Sequence, residues 1–347
     1  MNARIDKLRE RLDDPLLVTN GANVRYLVGL SSSNAALLVE PERVRLFADF
    51  RYAEAGRAVE GVEFVETRRS LLADLAELLA GRIAFEADDL RYSGYETLSG
   101  GGLELVPRRD VVEELRAVKD DGELDAIRNA ARITDEAFAR LASEPFVGRT
   151  ERDLAWRMEA LFHELGAQRT AFAIIVAAGA RGALPHTEPG DTPIEPGQTV
   201  VVDAGCVVGG YSSDCTRTFA TGELPDELAR AYAVCLEAQK AAVDAVRAGA
   251  NARGVDAVAR DRIAAAGFGD AFGHGLGHGV GLLVHEAPRL SPISAEDETL
   301  AAGNVVTVEP GIYREGLGGI RIEDLVVVTD DGPEVLTSFP KELVTVS

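Results

Sequence analysis

Gly197-Gln-Thr-Val-Val-Val-Asp203-Ala-Gly205 and Gly303-Asn-Val-Val-Thr-Val-Glu309-Pro-Gly311 follow one plan, G-[QN]-x-V-x-V-[DE]-x-G. Each is a valine-rich run with strand character that ends in a carboxylate and is closed by glycine. Each is followed by a glycine-containing turn and a returning run with a second carboxylate, Asp214 in the first copy and Glu323 in the second. Asp203 and Asp214 are equidistant from a turn near Val208-Gly209, and Glu309 and Glu323 are equidistant from Gly316. If both copies fold as antiparallel hairpins, each acid pair faces across its ladder with Cβ atoms about 4.5–5.5 Å apart. Four carboxylates so close repel one another unless cations neutralise them, and two divalent ions would cancel four negative charges. The alternative is a pair of ordinary hairpins with solvated acids.

The histidines favour the cationic reading. Four of the five lie near these acids: His186 in Ala-Leu-Pro-His, then His274, His278 and His285 in Gly273-His-Gly-Leu-Gly-His-Gly-Val-Gly-Leu-Leu-Val-His285. Glycine fills every second position from Gly273 to Gly281. In an extended chain this alternation puts His274 and His278 on one face and glycine on the other, where a second backbone can approach. A phosphate loop is the competing glycine-rich reading. It lacks a G-K-[ST] and a G-x-G-x-x-G leading into a helix. Oxygen ligands with imidazole suit manganese, cobalt(II), iron(II) or zinc, and a site without thiolate is a poor match to structural zinc. His163, within Glu151–Leu165, has no such company and is read as a helix residue without a functional role.

Composition sets the class. The chain has 347 residues, 46% hydrophobic, and a formal charge of −21. That charge argues against nucleic acid or an anionic membrane as a partner, because both require a basic face. There is no apolar run of membrane-spanning length and no signal-peptide core at the N-terminus, so a cytoplasmic protein is expected. Cys206, Cys215 and Cys235 form no C-x-x-C and read as buried thiols. Strands are expected at Pro15–Asn20, Asn34–Val39 and Val44–Ala48, and a helix at Leu71–Ala80, making an α/β unit of about one domain's length. A long charged helix is expected from Val111 to Ala142, followed by one from Glu151 to Leu165 capped by Thr150. The domain boundary is placed near Val118, giving domains 1–117 and 118–347.

Val-Val-Asp203-Ala-Gly, Ser-Asp214-Cys-Thr-Arg-Thr, His274-Gly-Leu-Gly-His278-Gly-Val-Gly-Leu, Val-Glu309-Pro-Gly-Ile-Tyr and Arg321-Ile-Glu323-Asp together resemble the "pita-bread" metallopeptidase family, which includes methionine aminopeptidases, aminopeptidase P and prolidase. Ala-Leu-Pro-His186 and His285-Glu-Ala-Pro288 are similar to its proline-specific branch, and the N-terminal third resembles the creatinase-like domain found there. The implied fold is α+β: a C-terminal pita-bread catalytic domain with a pseudo-twofold repeat, preceded by a smaller α/β creatinase-like domain. The N-terminal domain is short beside those of longer relatives.

The resemblance also implies roles. Asp203 would bind one metal through both oxygens, Asp214 and Glu323 would bridge, and His278 with Glu309 would complete the second metal. The ions would be manganese, with cobalt or zinc as alternatives, and a hydroxide between them would attack the peptide bond preceding proline. Glu309 would act as general base and proton carrier, His285 and His186 would stabilise the oxyanion or hold substrate, and His274 would line the pocket. Arg289, four residues after His285, is placed to pair with a dipeptide's carboxylate, which favours an Xaa-Pro dipeptidase over an Xaa-Pro aminopeptidase; the alternative is a surface arginine. Arg321, two residues before Glu323, is expected to orient that ligand, and Tyr211 to orient Asp214. Cys215 should face away from Asp214 and pack. The partners implied are short proline-containing peptides and a second copy of the chain in a homodimer. A catalytically silent interaction protein on the same scaffold would lack a ligand, and all five positions are filled.

Overall fold

The computed structural model describes residues 2–347, which divide into two compact units, 2–116 and 117–347. In the first unit six strands alternate with short helices: β1 (Leu16–Val18), β2 (Ala35–Val39), β3 (Val44–Asp49), β4 (Glu63–Thr67), β5 (Arg82–Glu86) and β6 (Glu104–Arg108). They form one mixed sheet in the order β4-β3-β2-β1-β5-β6. The helices are α1 (Ala3–Arg9), α2 (Gly21–Val28), α3 (Ala53–Arg57), α4 (Leu71–Leu78), α5 (Tyr92–Gly100) and α6 (Glu113–Ala117). Leu71, Leu75, Leu79 and Leu98 bury against Leu17, Leu38, Phe47 and Ile83 of the sheet. The three strands expected near the N-terminus are present, because their apolar runs are buried on both faces.

The helix expected over Val111–Ala142 is broken. α6 ends at Ala117, and α7 (Asp121–Ala142) starts afresh with Asp120 as its cap. The Asp120 carboxylate accepts from the Glu123 amide at 2.9 Å, and the Glu123 carboxylate accepts from the Asp120 amide at 3.0 Å. This reciprocal box satisfies two amides that a continuous helix would satisfy internally. Asp-x-x-Glu was legible in the sequence, but the surrounding helical periodicity masked it. Thr150 caps α8 (Glu151–Glu164) as expected, in a second box with Asp153.

The second unit contains β7 (Arg169–Thr170), β8 (Ile175–Ala178), β9 (Thr199–Asp203), β10 (Cys206–Val208), β11 (Tyr211–Ser212) and β12 (Thr216–Ala220), then α9 (Asp226–Asp244) and α10 (Ala252–Ala265). It continues through β13 (Gly277–Gly279), β14 (Glu286–Leu290), β15 (Val305–Val308), β16 (Gly311–Arg314), β17 (Gly318–Arg321), β18 (Asp324–Thr329), β19 (Gly332–Val335) and β20 (Val344–Thr345). Helices α7 and α8 bury Phe138, Leu141, Leu154 and Phe162 against Val176, Val200, Val202 and Phe219 of the β20-β12-β9-β8 sheet. Helices α9 and α10 do the same with Cys235, Val255, Ala259 and Ile263 against Val306, Val308, Val326 and Val328 of the β14-β13-β15-β18-β19 sheet. Each half is thus a helix pair backing a sheet that is antiparallel except for the edge strand β20, which runs parallel to β12, and the repeated valine runs β9 and β15 occupy equivalent central places. Full burial of each valine, leucine, isoleucine or phenylalanine among them contributes about 1.5–3 kcal/mol before chain entropy is counted. Among the described residues no helix is long and apolar enough to cross a membrane.

The glycine-rich stretch is extended only over β13, between β14 and β15. A Cβ at Gly277 would lie 2.0 Å from the Thr307 carbonyl oxygen, and one at Gly279 2.2 Å from that of Ala287. Glycine is therefore required by backbone approach, as the alternation suggested. Gly273 has no atom within 4 Å of its would-be Cβ. Gly277→Ala is expected to cost about 2 kcal/mol or more by forcing β13 from β15, read as a lower denaturant midpoint at constant m-value. Gly273→Ala should move stability by less than about 0.5 kcal/mol. Equal effects at both positions would show that close approach is not what selects glycine here.

Candidate active site

The two carboxylate hairpins meet in the second unit at a cavity of about 620 Å³. Asp203, Asp214, His278, Glu309 and Glu323 line it together with His186, His274, His285, Arg289 and Arg321. His163 is exposed on α8 and does not line it.

The second hairpin has the expected symmetry. Val308 pairs with Asp324 and Gly311 with Arg321, both centred on Gly316, so Glu309 and Glu323 occupy facing positions. The first hairpin is shifted. Gly209 and Gly210 both adopt positive φ, 59° and 90°, and form the turn between Val208 and Tyr211. The centre therefore falls between Gly209 and Gly210, one residue beyond the expected Val208-Gly209, and Asp203 faces Thr216 rather than Asp214. Asp214 lies on the diagonal two residues away. Diagonal neighbours share a face, so both acids still enter the cavity. The residue across from Asp214 is Gly205, where a Cβ would lie 1.9 Å from the Ser213 carbonyl oxygen.

The alternation of strand side chains sorts the charges. Thr216 and Glu323 point to the cavity, and the Thr216 hydroxyl donates to Glu323 Oε2 at 2.7 Å. Their neighbours Arg217 and Asp324 point the other way and pair at 3.0 Å, with Lys341 Nζ 2.6 Å from the second Asp324 oxygen. Burial opposes ionisation of Asp324, but these two cations outweigh it and hold its carboxyl below the usual range. The cavity acids have no such supply of cations. One oxygen each of Asp203, Asp214 and Glu323 lie within 4.8 Å of one another. Burial, and then the charges of Glu323 and Asp203, push Asp214 well above the usual carboxylate range, and burial with the charges of Glu309 and Asp203 does the same to Glu323.

Arg321 is the buried cation that reaches this group. It was expected to orient Glu323; instead its Nη2 donates to Asp203 Oδ2 at 2.7 Å, and its Nε to the Thr216 hydroxyl at 3.2 Å. It touches Glu323 only through Thr216, because β17 ends at Arg321 and the guanidinium crosses to the neighbouring strand. Asp203 Oδ1 is buried with no hydrogen-bond partner. Burial raises the Asp203 carboxyl, with Arg321 offsetting part of the rise. Tyr211 was expected beside Asp214, but its hydroxyl donates to Glu123 Oε1 at 2.7 Å, because the shifted turn carries it toward α7.

Two histidines have their tautomers set by backbone carbonyls, which only accept. His278 Nδ1 lies 3.1 Å from the Gly279 oxygen and must donate to it. Its Nε2 is then directed at Glu309 Oε1, 3.2 Å away, and Asp214 Oδ2, 3.7 Å away. Burial lowers the His278 pKa, but Glu309 outweighs it and the net shift is upward. Burial likewise opposes ionisation of Glu309, but the hydrogen bond and charge of His278 prevail and hold it at about 2. Thr307 donates to Glu309 Oε1 at 3.2 Å and accepts from the His278 amide.

His274 Nδ1 donates to the Gly275 carbonyl at 2.7 Å, and its Nε2 lies 2.9 Å from the Tyr313 hydroxyl. Both nitrogens are thus bonded within the protein, and His274 presents its ring to the cavity without a free polar atom. It lies before β13, not on it, so it does not share a strand face with His278. His285 packs edge-on against His278 with ring centroids 4.3 Å apart. Arg289 pairs with His278 in the ladder and is exposed at the cavity. Cys215 is buried and faces away from Asp214, as expected. The sequence reading missed Thr216, Thr307 and Tyr313. The first two stand two residues from Asp214 and Glu309, so the same alternation that placed the acids could have placed them.

Residues 125–330 match the metallopeptidase family M24, and residues 3–118 match the creatinase/prolidase N-terminal domain. An Xaa-Pro dipeptidase of Pyrococcus furiosus is 36% identical over 99% of this chain and 100% of its own length. The solved structure of an Xaa-Pro dipeptidase from Bacillus anthracis superposes with a TM-score of 0.94 at 38% identity, covering 99% of both chains. That of an X-Pro aminopeptidase from Thermotoga maritima gives 0.87 at 35% identity, covering 97% of this chain and 99% of the other. The α+β pita-bread architecture behind a creatinase-like domain is therefore the fold of this protein, and the chain belongs to metallopeptidase family M24.

Proposed function

We propose that this protein is a divalent-metal-dependent Xaa-Pro dipeptidase. The observation that carries the reading is the convergence of four carboxylates and the Nε2 of His278 on one cavity, where Asp203 Oδ1 has no hydrogen-bond partner. This donor set fits divalent ions. The carboxylates outnumber the one guanidinium bonded to them, the imidazole has its other nitrogen anchored to a carbonyl, and all ligand atoms are oxygen or nitrogen. Asp203, Asp214 and Glu323 would hold one ion, and Asp214, Glu323, Glu309 and His278 a second. Manganese is our first choice, with cobalt or zinc as alternatives. When bound, the ions supply neutralising charge, a water acidic enough to ionise near neutral pH, and polarisation of the scissile carbonyl.

The protein's own groups supply the rest. Glu309 is ionised throughout the physiological range and can accept a proton. Its proton affinity rises once His278 is neutral, since the His278 charge is what holds it low. The peptide nitrogen before proline carries no hydrogen and must be protonated to leave, a transfer Glu309 can complete. Burial and then the charge of His278 keep the His285 pKa low, so this histidine is neutral and offers one N–H to a developing oxyanion. His186 holds substrate from the opposite loop, and Arg289 pairs with the proline carboxylate. A homodimer acting in the cytoplasm completes the proposal. A second reading, Xaa-Pro aminopeptidase, is favoured by the likeness to the Thermotoga maritima structure.

The two readings separate on substrate length. Ala-Pro should be cleaved in preference to Ala-Pro-Ala, and Arg289→Ala should raise KM for the dipeptide about tenfold or more; preference for the tripeptide would select the aminopeptidase. Asp214→Ala and Glu323→Ala should each lose bound metal and at least about a thousandfold in kcat. Full metal content and unchanged rates would remove the dinuclear site. The metal-free protein should also lose stability as pH rises. Asp214 and Glu323 have folded-state pKa values above their unfolded ones, so their stabilisation is complete below about pH 4 and disappears as pH rises through the raised values. The melting temperature gained on adding manganese should therefore be larger at pH 7.5 than at pH 5.5, and Asp214→Asn should flatten that difference.

A further inference from the structure

His186 lies on the eleven-residue connection between β8 and Gly190, and its ring makes no hydrogen bond among the described residues. Its position is therefore set by the backbone that carries it. That backbone is gathered at its neck by one carboxylate outside the cavity. Glu151, the first residue of α8, is 1% exposed. Its Oε1 accepts from the Ala178 amide at 2.8 Å and its Oε2 from the Gly190 amide at 2.6 Å, the two ends of the connection. Oε2 also accepts from Arg181 Nε at 2.9 Å. The same guanidinium donates through Nη2 to the Thr187 hydroxyl at 2.9 Å and to the Glu188 carbonyl, immediately beyond His186. Glycine at 190 suits this closure, since a Cβ there would lie 3.1 Å from Glu151 Oε2 and 3.3 Å from Arg181 Nε.

We propose that the pair formed by buried Glu151 and half-exposed Arg181 is a positioning device for His186, clasping the neck of its loop and fixing the residues that follow it so that the imidazole is held over the cavity before substrate arrives. Neither residue lines the cavity. Their effect on the reaction passes through His186, by removing loop entropy that substrate binding would otherwise have to overcome. The inference rests on reading that cavity as the dipeptidase site.

The test is a double-mutant cycle on the metal-loaded enzyme with Ala-Pro as substrate. Arg181→Ala and His186→Ala should each lower kcat/KM about tenfold, chiefly through KM. The double variant should be no slower than His186→Ala alone. Losses that multiply, or an Arg181→Ala enzyme with wild-type KM, would overturn the proposal. Arg181→Ala leaves Glu151 buried without its cation and can fail to fold. Thr187→Val removes only the hydroxyl that Arg181 grips and is subject to the same cycle. Hydrogen exchange gives a readout independent of turnover: the Thr187 and Gly190 amides should exchange about tenfold faster in Arg181→Ala, while those of β9 and β12 are unchanged. If the unaltered protein cleaves no Xaa-Pro dipeptide, the dipeptidase reading fails while the exchange result still decides whether the clasp exists.

Discussion

Four carboxylates held together in a buried place constrain this structure more than any other feature. Asp203, Asp214, Glu309 and Glu323 line one cavity, and Arg321 is the buried guanidinium that bonds to them directly, at Asp203. Unpaired charge in a low-dielectric interior costs several kcal/mol per ion even after relaxation. The protein nevertheless places these acids together at one cavity between two helix-backed sheets. Protons can relieve the repulsion, which is why Asp214 and Glu323 favour their neutral forms, and divalent ions can relieve it better. The neighbouring acid Asp324 shows that the fold can neutralise a buried carboxylate with its own cations. It does so with Arg217 and Lys341, on the other side of the strand.

Close backbone approach makes this convergence possible. Gly205, Gly277 and Gly279 stand where a Cβ would overlap a carbonyl oxygen of the adjoining chain. Removing the side chain on one face lets the strands draw in and leaves the other face to a functional group. Thr216 and Thr307 fill the gaps with hydroxyls that hold Glu323 and Glu309 in place. The acids are thereby aimed before any ion arrives, and their orientation is a property of the folded chain.

The loop carrying His186 obeys the same logic at longer range. A flexible connection bearing an exposed imidazole would be a poor partner for substrate. The buried carboxylate of Glu151 ties both its ends and an arginine that grips the two residues after His186. Nothing in the sequence around Glu151 marks this role, since an acid at the first position of a helix is ordinary there by virtue of the helix dipole alone.

The sequence by itself determined the two valine hairpins, the acids that end them and the side of the strand on which Cys215 would lie. All of these follow from the period of two and from glycine spacing, which are local. It also placed Glu309 and Glu323 opposite one another, because the turn at Gly316 is symmetric. Tertiary structure decided the rest. Two consecutive left-handed glycines shifted the first hairpin, so Asp203 meets Thr216 and Tyr211 turns to Glu123. Arg321 reached Asp203 instead of its strand neighbour, and His274 spent both ring nitrogens on Gly275 and Tyr313. A guanidinium or imidazole chooses among partners by distance across strands, and that distance is set only when the sheets and helices have packed.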